Sequence, residues 1–597
     1  MQTTADTGGD VVAALQRAGA GRGDLVALVV APGVGAAMAV EGGAPPLALV
    51  GDATDLVRLV EDALRPRWVL WSGDTARGLV EAGVRLGRCW DIAAAHRLLF
   101  GGWQADPARI WAGLADLAPG TIPALRGPDL FSQAGEGDGD PEDPIGVDGH
   151  LRPEWVTGGW SATPPRLARW AATALTVMAD QRRRLGGLAD RPRASLTVRS
   201  ESAAELLCAE LTVEGLPMDR DQAEEVIARS IGRRPRDEAE AGARRARRDA
   251  EVLRHAPPGP AVDLRSPGQV RSLLARAGVD VVDTRAWRLR ALPDPHPLVE
   301  AILAWRKVER IATTYGYRWL DEHLGADGRL RGDWTGCDGA SGRMTASGGL
   351  HNMPADFRTA VVAEPGFVFV RADLGQIEPR VLAAVSGDGV LARASLAHDM
   401  YAPVAVQLGV DRAVAKVAVL GAMYGQTTGH GANALRGLKA TYPVAMKYLD
   451  DADRCGRLGL DLRTYGGRLI PLGSKPAYGA VERAITPGQA AARGRYGRNA
   501  LVQGAAAELF KMWAVTVRAR VEHLGARIVL CLHDELLVHV PAEVGSTVGG
   551  LVDDCLQEAV QRWAPDAPVR FVAEISTIER WSDAKAPSGS IPNDLDG

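Results

Sequence analysis

In "RIVLCLHDELLVHVP", residues 527–541, an apolar run enters, His533, Asp534 and Glu535 interrupt it, and a second apolar run leaves. Two β-rich runs separated by a few polar residues read as strand–turn–strand, with the acids as solvated turn residues. Yet the turn lacks the Gly, Asn or Pro that tight hairpins favour. Adjacent carboxylates also repel unless something cationic answers them. A divalent metal ion would do so, provided that another carboxylate joins it and the substrate is anionic. Both readings stand on this stretch alone.

A second carboxylate stands in "GFVFVRADLGQIEPRVLAAVSGD", residues 366–388. Phe367 to Ala372 predicts a strand, apolar except for Arg371, that ends at Asp373. A helix follows, with Ile377, Val381, Leu382 and Val385 on one buried face. Asp373 is then either a helix cap or a carboxylate that meets a cleft at the strand's end. If the fold brings Asp373 to Asp534, the two can hold a pair of Mg²⁺ ions ~3.5–4 Å apart. That chemistry is an in-line phosphoryl displacement.

Cations suited to an anionic substrate follow in "VDRAVAKVAVLGAMYGQ", residues 410–426. Arg412, Lys416, Leu420 and Tyr424 recur every fourth residue along one helix face. Like charges four apart cost a helix a few tenths of a kcal/mol. Arg412 can chelate phosphate oxygens as a fork, Lys416 can act as a point charge, and Tyr424 offers a ring to a sugar or base. The alternative is two solvated cations and a core tyrosine. In "RYGRNALVQGAAAELFKMWAV", Arg495, Asn499 and Gln503 form a polar stripe opposite an apolar face. Such a stripe suits the minor groove, whose acceptors are shared by every base pair.

The elements that must position these residues belong to a long chain. Its 597 residues are 46% hydrophobic and 24% charged, enough for several cores. A net charge of −4 gives no global basic field, so any nucleic-acid surface is local. The six cysteines include no CxxC and fit a reducing cytosol. The polar start reads as no signal peptide, and "LVALVVAPGVGAAMAV" is too short and broken to span a bilayer. A cytoplasmic, multidomain protein is expected. Residues 1–126 read as a small α/β domain and 127–165 as a Gly/Asp/Pro-rich loop. Residues 200–325 read as mostly helical. There "RRPRDEAEAGARRARRDAEVLRH" is a solvated helix with i,i+4 pairs or a phosphate-contacting arm. The tail from about Asp583 is expected to be disordered.

Together these segments resemble the family A, DNA polymerase I-like, DNA polymerases. "DLGQIEPRVLAAVSGD" is similar to the family's motif A, "RAVAKVAVLGAMYG" to motif B and "CLHDELLVHVP" to motif C. "SGRMTASGGLHNMP", "RYGRNALVQGAAAELFK", "WRKVERIATTY" and "LLCAELTVEGLPMD" also resemble family segments. The resemblance covers about residues 200–580.

It implies a multidomain α/β protein: a right-hand polymerase (palm, fingers, thumb) preceded by a ribonuclease H-like, exonuclease-type α/β domain. The expected boundaries are 1–190 for the exonuclease-like domain, 191–330 for the thumb, 331–397 for palm, 398–490 for fingers, 491–582 for palm and 583–597 for the tail. The length is expected to leave no room for a further 5′-nuclease domain. The implied activity is template-directed DNA synthesis in replication or repair, by a monomer using two Mg²⁺ ions, with Mn²⁺ as a substitute. Primer–template DNA and deoxynucleoside triphosphates are the implied partners, without a membrane.

The resemblance also assigns residues. Asp373 and Asp534 hold metal, supported by Glu535. Arg412 and Lys416 hold the triphosphate, with Gln376, Leu420, Tyr424 and Tyr401 lining the nucleotide site. Glu378 is the gate against a 2′-hydroxyl. Arg343, Asn352, Arg495, Asn499 and Gln503 contact DNA, and His533 meets the primer end. The chain departs from the family pattern at Leu374, Gly375, Pro379, His351, Tyr401 and Leu420. In the N-terminal domain, residues 25–40 resemble the family's second strand pair, so the acidic first strand is expected to be missing. Ser72 and Ala76 replace the Asn and Asp of the second motif, with Asp74 two residues out of register. Trp170 and Ala174 replace the third, so nuclease activity is expected to be lost. The alternative is an active 3′–5′ proofreading exonuclease.

Overall fold

The computed structural model describes residues 8–43, 45–49, 51–124, 140–339, 341–425, 431–473 and 486–584. The chain forms two compact units. The first comprises residues 1–214, 333–346 and 370–577, and the second 215–332, 347–369 and 578–597.

The first unit begins with a five-stranded sheet: β1 (Leu25–Ala31), β2 (Gly35–Val40), β3 (Leu47–Leu49), β4 (Arg67–Leu70) and β5 (Cys89–Asp91), in the order β3-β2-β1-β4-β5. β1 runs antiparallel to β2 and parallel to β4. This is the ribonuclease H-like arrangement. Val26 and Leu28 face one core, shared with Val11 and Leu15. Ala27, Val29 and Ala31 face a second, shared with Leu167, Ala171 and Val177 of the helix Pro164–Gly186. Burial on both faces is why "LVALVVA" is a continuous apolar run rather than an alternating one. The expectation of a missing first strand is corrected: β1 fills that place, between β2 and β4, and carries no carboxylate.

A four-stranded sheet follows in the same unit, in the order Arg527–Cys531, Glu535–Pro541, Phe367–Leu374, Ala573–Ile578. The first two strands are an antiparallel hairpin, with Cys531 opposite Leu536. Residues 532–534 make its turn, closed by Leu532 N–H donating to the Glu535 carbonyl at 2.8 Å. The hairpin reading is therefore correct as structure, and the acids sit on it.

The helices that carry the other candidates are Ile377–Ser386, Arg412–Tyr424 and the 35-residue Pro487–Val521. The last starts with a capping box of Thr486 and Gln489, which satisfies two of the orphan N–H groups of its first turn. It packs closely on Pro443–Leu458 through glycines. A Cβ on Gly456 would lie 2.6 Å from the Arg493 carbonyl, and one on Gly494 2.8 Å from that of Asp453.

The helix Arg191–Glu214, at the start of the segment expected to be the thumb, groups with the first unit. Its buried acids explain why. Glu201 receives Lys511 Nζ at 2.5 Å and the Arg468 guanidinium, and Lys511 also donates to the Gly336 carbonyl at 2.9 Å. Glu205 pairs with Arg97 at 2.9 Å, and Glu210 with Arg518 at 2.6 Å. Burial alone would raise the pKa of Glu201, but Arg468 and Lys511 outweigh it and lower it.

The second unit is mostly helical. Its charged helix is Glu238–Leu253, where Val252 is buried and Glu240 pairs with Arg244 four residues on. That supports the solvated-helix reading of this segment. Across the unit, Arg265 joins Asp249 and Glu309. Residues 125–139 of the expected loop lie outside the described residues, as does the tail beyond 584. Within the described part of the loop, Trp155 is fully buried in a helical turn, Pro153–Val156. At the tail, Trp581 is buried and starts a 3₁₀ turn, Trp581–Asp583.

Replacing Glu201 with alanine would strand two buried cations, a change that typically costs about 3–5 kcal/mol. Glu201→Ala is expected to lower the urea midpoint of the first unit by that equivalent, read by tryptophan fluorescence.

Candidate active site

The four-stranded sheet brings the two acidic motifs together. Leu374 N–H donates to the Asp534 carbonyl at 2.7 Å, which fixes the end of the strand Phe367–Leu374 against the hairpin turn. Asp373 is not a helix cap; that position belongs to Gln376. Beneath the acids lies Arg371, 4% exposed. Its Nε donates to Glu535 Oε1 and a terminal nitrogen to Asp373 Oδ2, both at 2.7 Å. The charge that looked misplaced in an apolar strand thus neutralises one side of the cluster.

Glu378 is held from the other side. Arg343 donates to its Oε1 at 2.8 Å and the Tyr424 hydroxyl to its Oε2 at 2.9 Å. Burial and the Glu378 charge push the Tyr424 phenol well above its usual range. Asp534 stands between these two answered groups. Burial, then the charges of Asp373, Glu535 and Glu378, push its carboxyl up to about 7, with Arg343 opposing.

A second group forms around Asp399. Gln376 Nε2 donates to Asp399 Oδ1 at 2.7 Å, Tyr401 N–H to the same oxygen at 3.1 Å, and Arg412 Nε to Oδ2. Gln376 adopts φ +57°, a left-handed conformation unusual for a side-chain-bearing residue, and its Oε1 accepts from Met400 N–H at 2.7 Å. Below it, Arg380 is fully buried and donates to five main-chain carbonyls: Gly375, Ser395, Ala397, His398 and Arg570. Burial and the Arg570 charge push the Arg380 pKa down to about 10.

On the helix Arg412–Tyr424, Ala415, Ala418, Val419, Ala422 and Met423 are buried, while Arg412, Lys416, Leu420 and Tyr424 are half-buried along the predicted face. On the long helix, Arg495 is exposed, and Asn499 and Gln503 are half-open, among buried neighbours. Arg495 packs against Gly425, where a Cβ would lie 3.0 Å from its Cγ. His533 is exposed on the hairpin turn.

Gln376 has both ends of its side chain engaged by protein, Nε2 on Asp399 and Oε1 on Met400 N–H. Tyr401 is 4% exposed, and the Arg412 guanidinium carbon lies 5.9 Å from its ring centre. It underlies Arg412 and does not present a hydroxyl. Arg343 is committed to Glu378. Asn352 lies in the second unit, where its carbonyl accepts from Arg310. Arg371, Arg380 and Asp399 were not singled out. Arg371 carried a usable signal, a lone charge inside an apolar strand.

Among the described residues, no three His, Cys, Asp or Glu side chains are placed so that they could together hold a metal ion. Asp373 and Asp534 supply oxygen donors, and the raised pKa of Asp534 marks a local excess of negative charge that a divalent cation would relieve. Carboxylate oxygens completed by substrate oxygens suit Mg²⁺, so the residues fit the ions that the resemblance implies.

Paired strand-end carboxylates on a small sheet, beside a cationic helix and a long helix with a polar stripe, make this a right-hand polymerase fold. The chain belongs to DNA polymerase family A, which residues 236–583 match. It is similar to DNA polymerase I of Deinococcus radiodurans, 25% identical over 457 residues that make up 70% of this chain and 45% of that protein. It is also similar to DNA polymerase I of Chloroflexus aurantiacus, 32% identical over 45% of this chain and 31% of that protein. A third relative is the thermostable DNA polymerase I of Thermus aquaticus, 29% identical over 57% and 44%. The chain spans less than half the length of these relatives. In fold it matches the POL domain of Pol1 from M. smegmatis, solved in complex with DNA primer-template and dNTP. That match has a TM-score of 0.70 and 20% identity, and covers 98% of this chain and 100% of that one.

The crowding at Asp534 has a pH signature. Its folded pKa lies above the unfolded carboxylate value, so the folded state holds a proton that the unfolded state has lost between about pH 4 and 7. Stability from this group is therefore lost as pH rises through that window. In metal-free buffer, Asp534→Asn is expected to melt above the parent at pH 8, by the equivalent of about 1–3 kcal/mol, and the two curves should converge toward pH 4. Equal separation at both pH values would remove the crowded-carboxylate assignment.

Proposed function

We propose that the chain is a template-directed DNA polymerase that adds deoxynucleotides to a primer 3′ end in DNA replication or repair. The observation that carries this reading is the meeting of Asp373 and Asp534 beside a helix face bearing Arg412 and Lys416. In the reaction the primer 3′-oxygen forms a bond to the α-phosphorus, and the bond to the β-phosphate oxygen breaks, releasing pyrophosphate. Asp373 and Asp534 are the residues that would hold two Mg²⁺ ions, which supply charge stabilisation to the attacking and leaving oxygens when bound. Arg412 and Lys416 offset the triphosphate charge. Glu378, fixed by Arg343 and Tyr424, walls the sugar's C2′ side. Leu420 lies between Lys416 and Tyr424 on the same face. Arg495, Asn499 and Gln503 probe the minor groove, and His533 meets the primer end. The second unit with the Asn352 segment acts as the thumb, the four-stranded sheet as the palm, and the region around Arg412–Tyr424 as the fingers.

The N-terminal sheet serves as a platform rather than a nuclease. β1 offers no carboxylate, and the Ser72 side chain caps the helix Gly73–Glu81. Asp74 is paired with Arg77 at 2.7 Å. Trp170 stacks on Trp71 with ring centres 4.3 Å apart. Apolar packing occupies the positions where the resemblance would put metal ligands.

Asp534→Ala is expected to reduce primer extension to background while leaving primer–template affinity near the parent's, both measured at one salt concentration because phosphate contacts are salt-dependent. The same preparation, incubated with mismatched primer and Mg²⁺ or Mn²⁺ without nucleotides, should show no 3′ shortening. Extension at the parent's rate would defeat the palm assignment. Shortening that disappears on deleting residues 1–190 would restore the exonuclease reading.

Glu378→Ala should raise the ratio of ribonucleotide to deoxynucleotide incorporation by about ten- to a hundredfold. A fixed ratio in single-turnover extension would place the gate elsewhere.

A further inference from the structure

We infer that Asp399 is a positioning residue that fixes the Arg412 guanidinium for the nucleotide's triphosphate; the inference rests on the polymerase reading above. Asp399 joins three pieces of chain. Its Oδ1 accepts from Gln376, in the turn that follows the Asp373 strand, and from Tyr401 N–H. Its Oδ2 accepts from Arg412 Nε, in the first turn of the helix Arg412–Tyr424. The loop that delivers Asp399 is itself held, because Arg380 donates to the carbonyls of Ser395, Ala397 and His398.

Arg412 needs such a partner. A cation in a helix's first turn lies at the positive end of the helix dipole, where an anion is favoured. The N-cap, Asp411, makes no side-chain capping bond. Asp399 supplies a carboxylate hydrogen-bonded to Arg412 from another element. It does so through Nε, which leaves the Nη donors at the far end of the fork to meet a pair of phosphate oxygens. The Tyr401 ring beneath the guanidinium restricts it further. Burial alone would raise the Asp399 pKa, but the bonds from Arg412 and Gln376 outweigh it and hold the carboxylate below its usual range. Asp399 therefore stays charged at neutral pH. It acts on the nucleotide only through Arg412, so its loss should weaken nucleotide capture more than turnover.

The test is Asp399→Asn, which keeps an oxygen for Gln376 and Tyr401 but removes the charge facing Arg412. Steady-state extension is expected to show a deoxynucleotide KM raised about tenfold, the weight of one charge-assisted hydrogen bond, with kcat changed far less. Against an Arg412→Ala background the same substitution should add nothing, because the group it positions is gone. Calorimetric binding of inorganic tripolyphosphate should weaken in Asp399→Asn by a similar factor. An unchanged or lowered KM, a fall in kcat alone, or full additivity with Arg412→Ala would each overturn the inference. The tripolyphosphate arm separates the two readings. If the parent protein binds tripolyphosphate yet extends no primer, the polymerase reading fails, while the ranking of Asp399→Asn against the parent still decides the role of Asp399.

Discussion

Four carboxylates drawn into one part-buried place are the constraint around which the first unit is arranged. Asp373, Asp534, Glu535 and Glu378 cannot all be charged there without answers. Arg371 answers Asp373 and Glu535 from within the sheet, and Arg343 answers Glu378 from the opposite side. Asp534 is left with the weakest compensation, and its raised pKa records that.

What the sequence made legible follows from periodicity and from charge in improbable places. The strand ending near Asp373, the helix through Arg412 and Tyr424, and the open stripe Arg495–Asn499–Gln503 could be read because one face of each is buried at a regular spacing. The acids of 533–535 stood out because apolar strands flank them. The pairing of Asp373 with Asp534 could not be read from spacing, since 160 residues of intervening chain fold before they meet. The contacts of Gln376 and Tyr401 were hidden for a related reason. Both contacts run through Asp399, a residue in a short polar loop with no local pattern to mark it. β1 was misplaced because a strand buried on both faces gives no alternation from which to judge its partners.

The helix Arg191–Glu214 is held by pairs that sequence spacing does not display. Its buried glutamates pair with Arg97 from the N-terminal region and with Arg468, Lys511 and Arg518 from beyond it. Each pair is desolvated, so each is costly to break rather than strongly stabilising when formed. Together they specify one docking of the N-terminal sheet region against the long helix. The N-terminal sheet region is thereby tied to the long helix through buried ion pairs.

Arg380 has all five of its N–H donors matched to main-chain carbonyl oxygens, and no side chain takes part. A lysine there has three donors on a single nitrogen and cannot serve the same set. The segments it ties, 395–398 and 570, are recognised by their backbone alone. No hydrogen bond from Arg380 depends on the side chains of Ala397 and His398, whereas Arg380 itself and the Ser395 hydroxyl, which accepts from Arg570 N–H at 3.3 Å, are fixed by their bonds. Mutational tolerance is thus distributed unevenly within a few ångströms: a permissive loop is anchored by an intolerant centre, and the loop ends on the aspartate that faces Arg412.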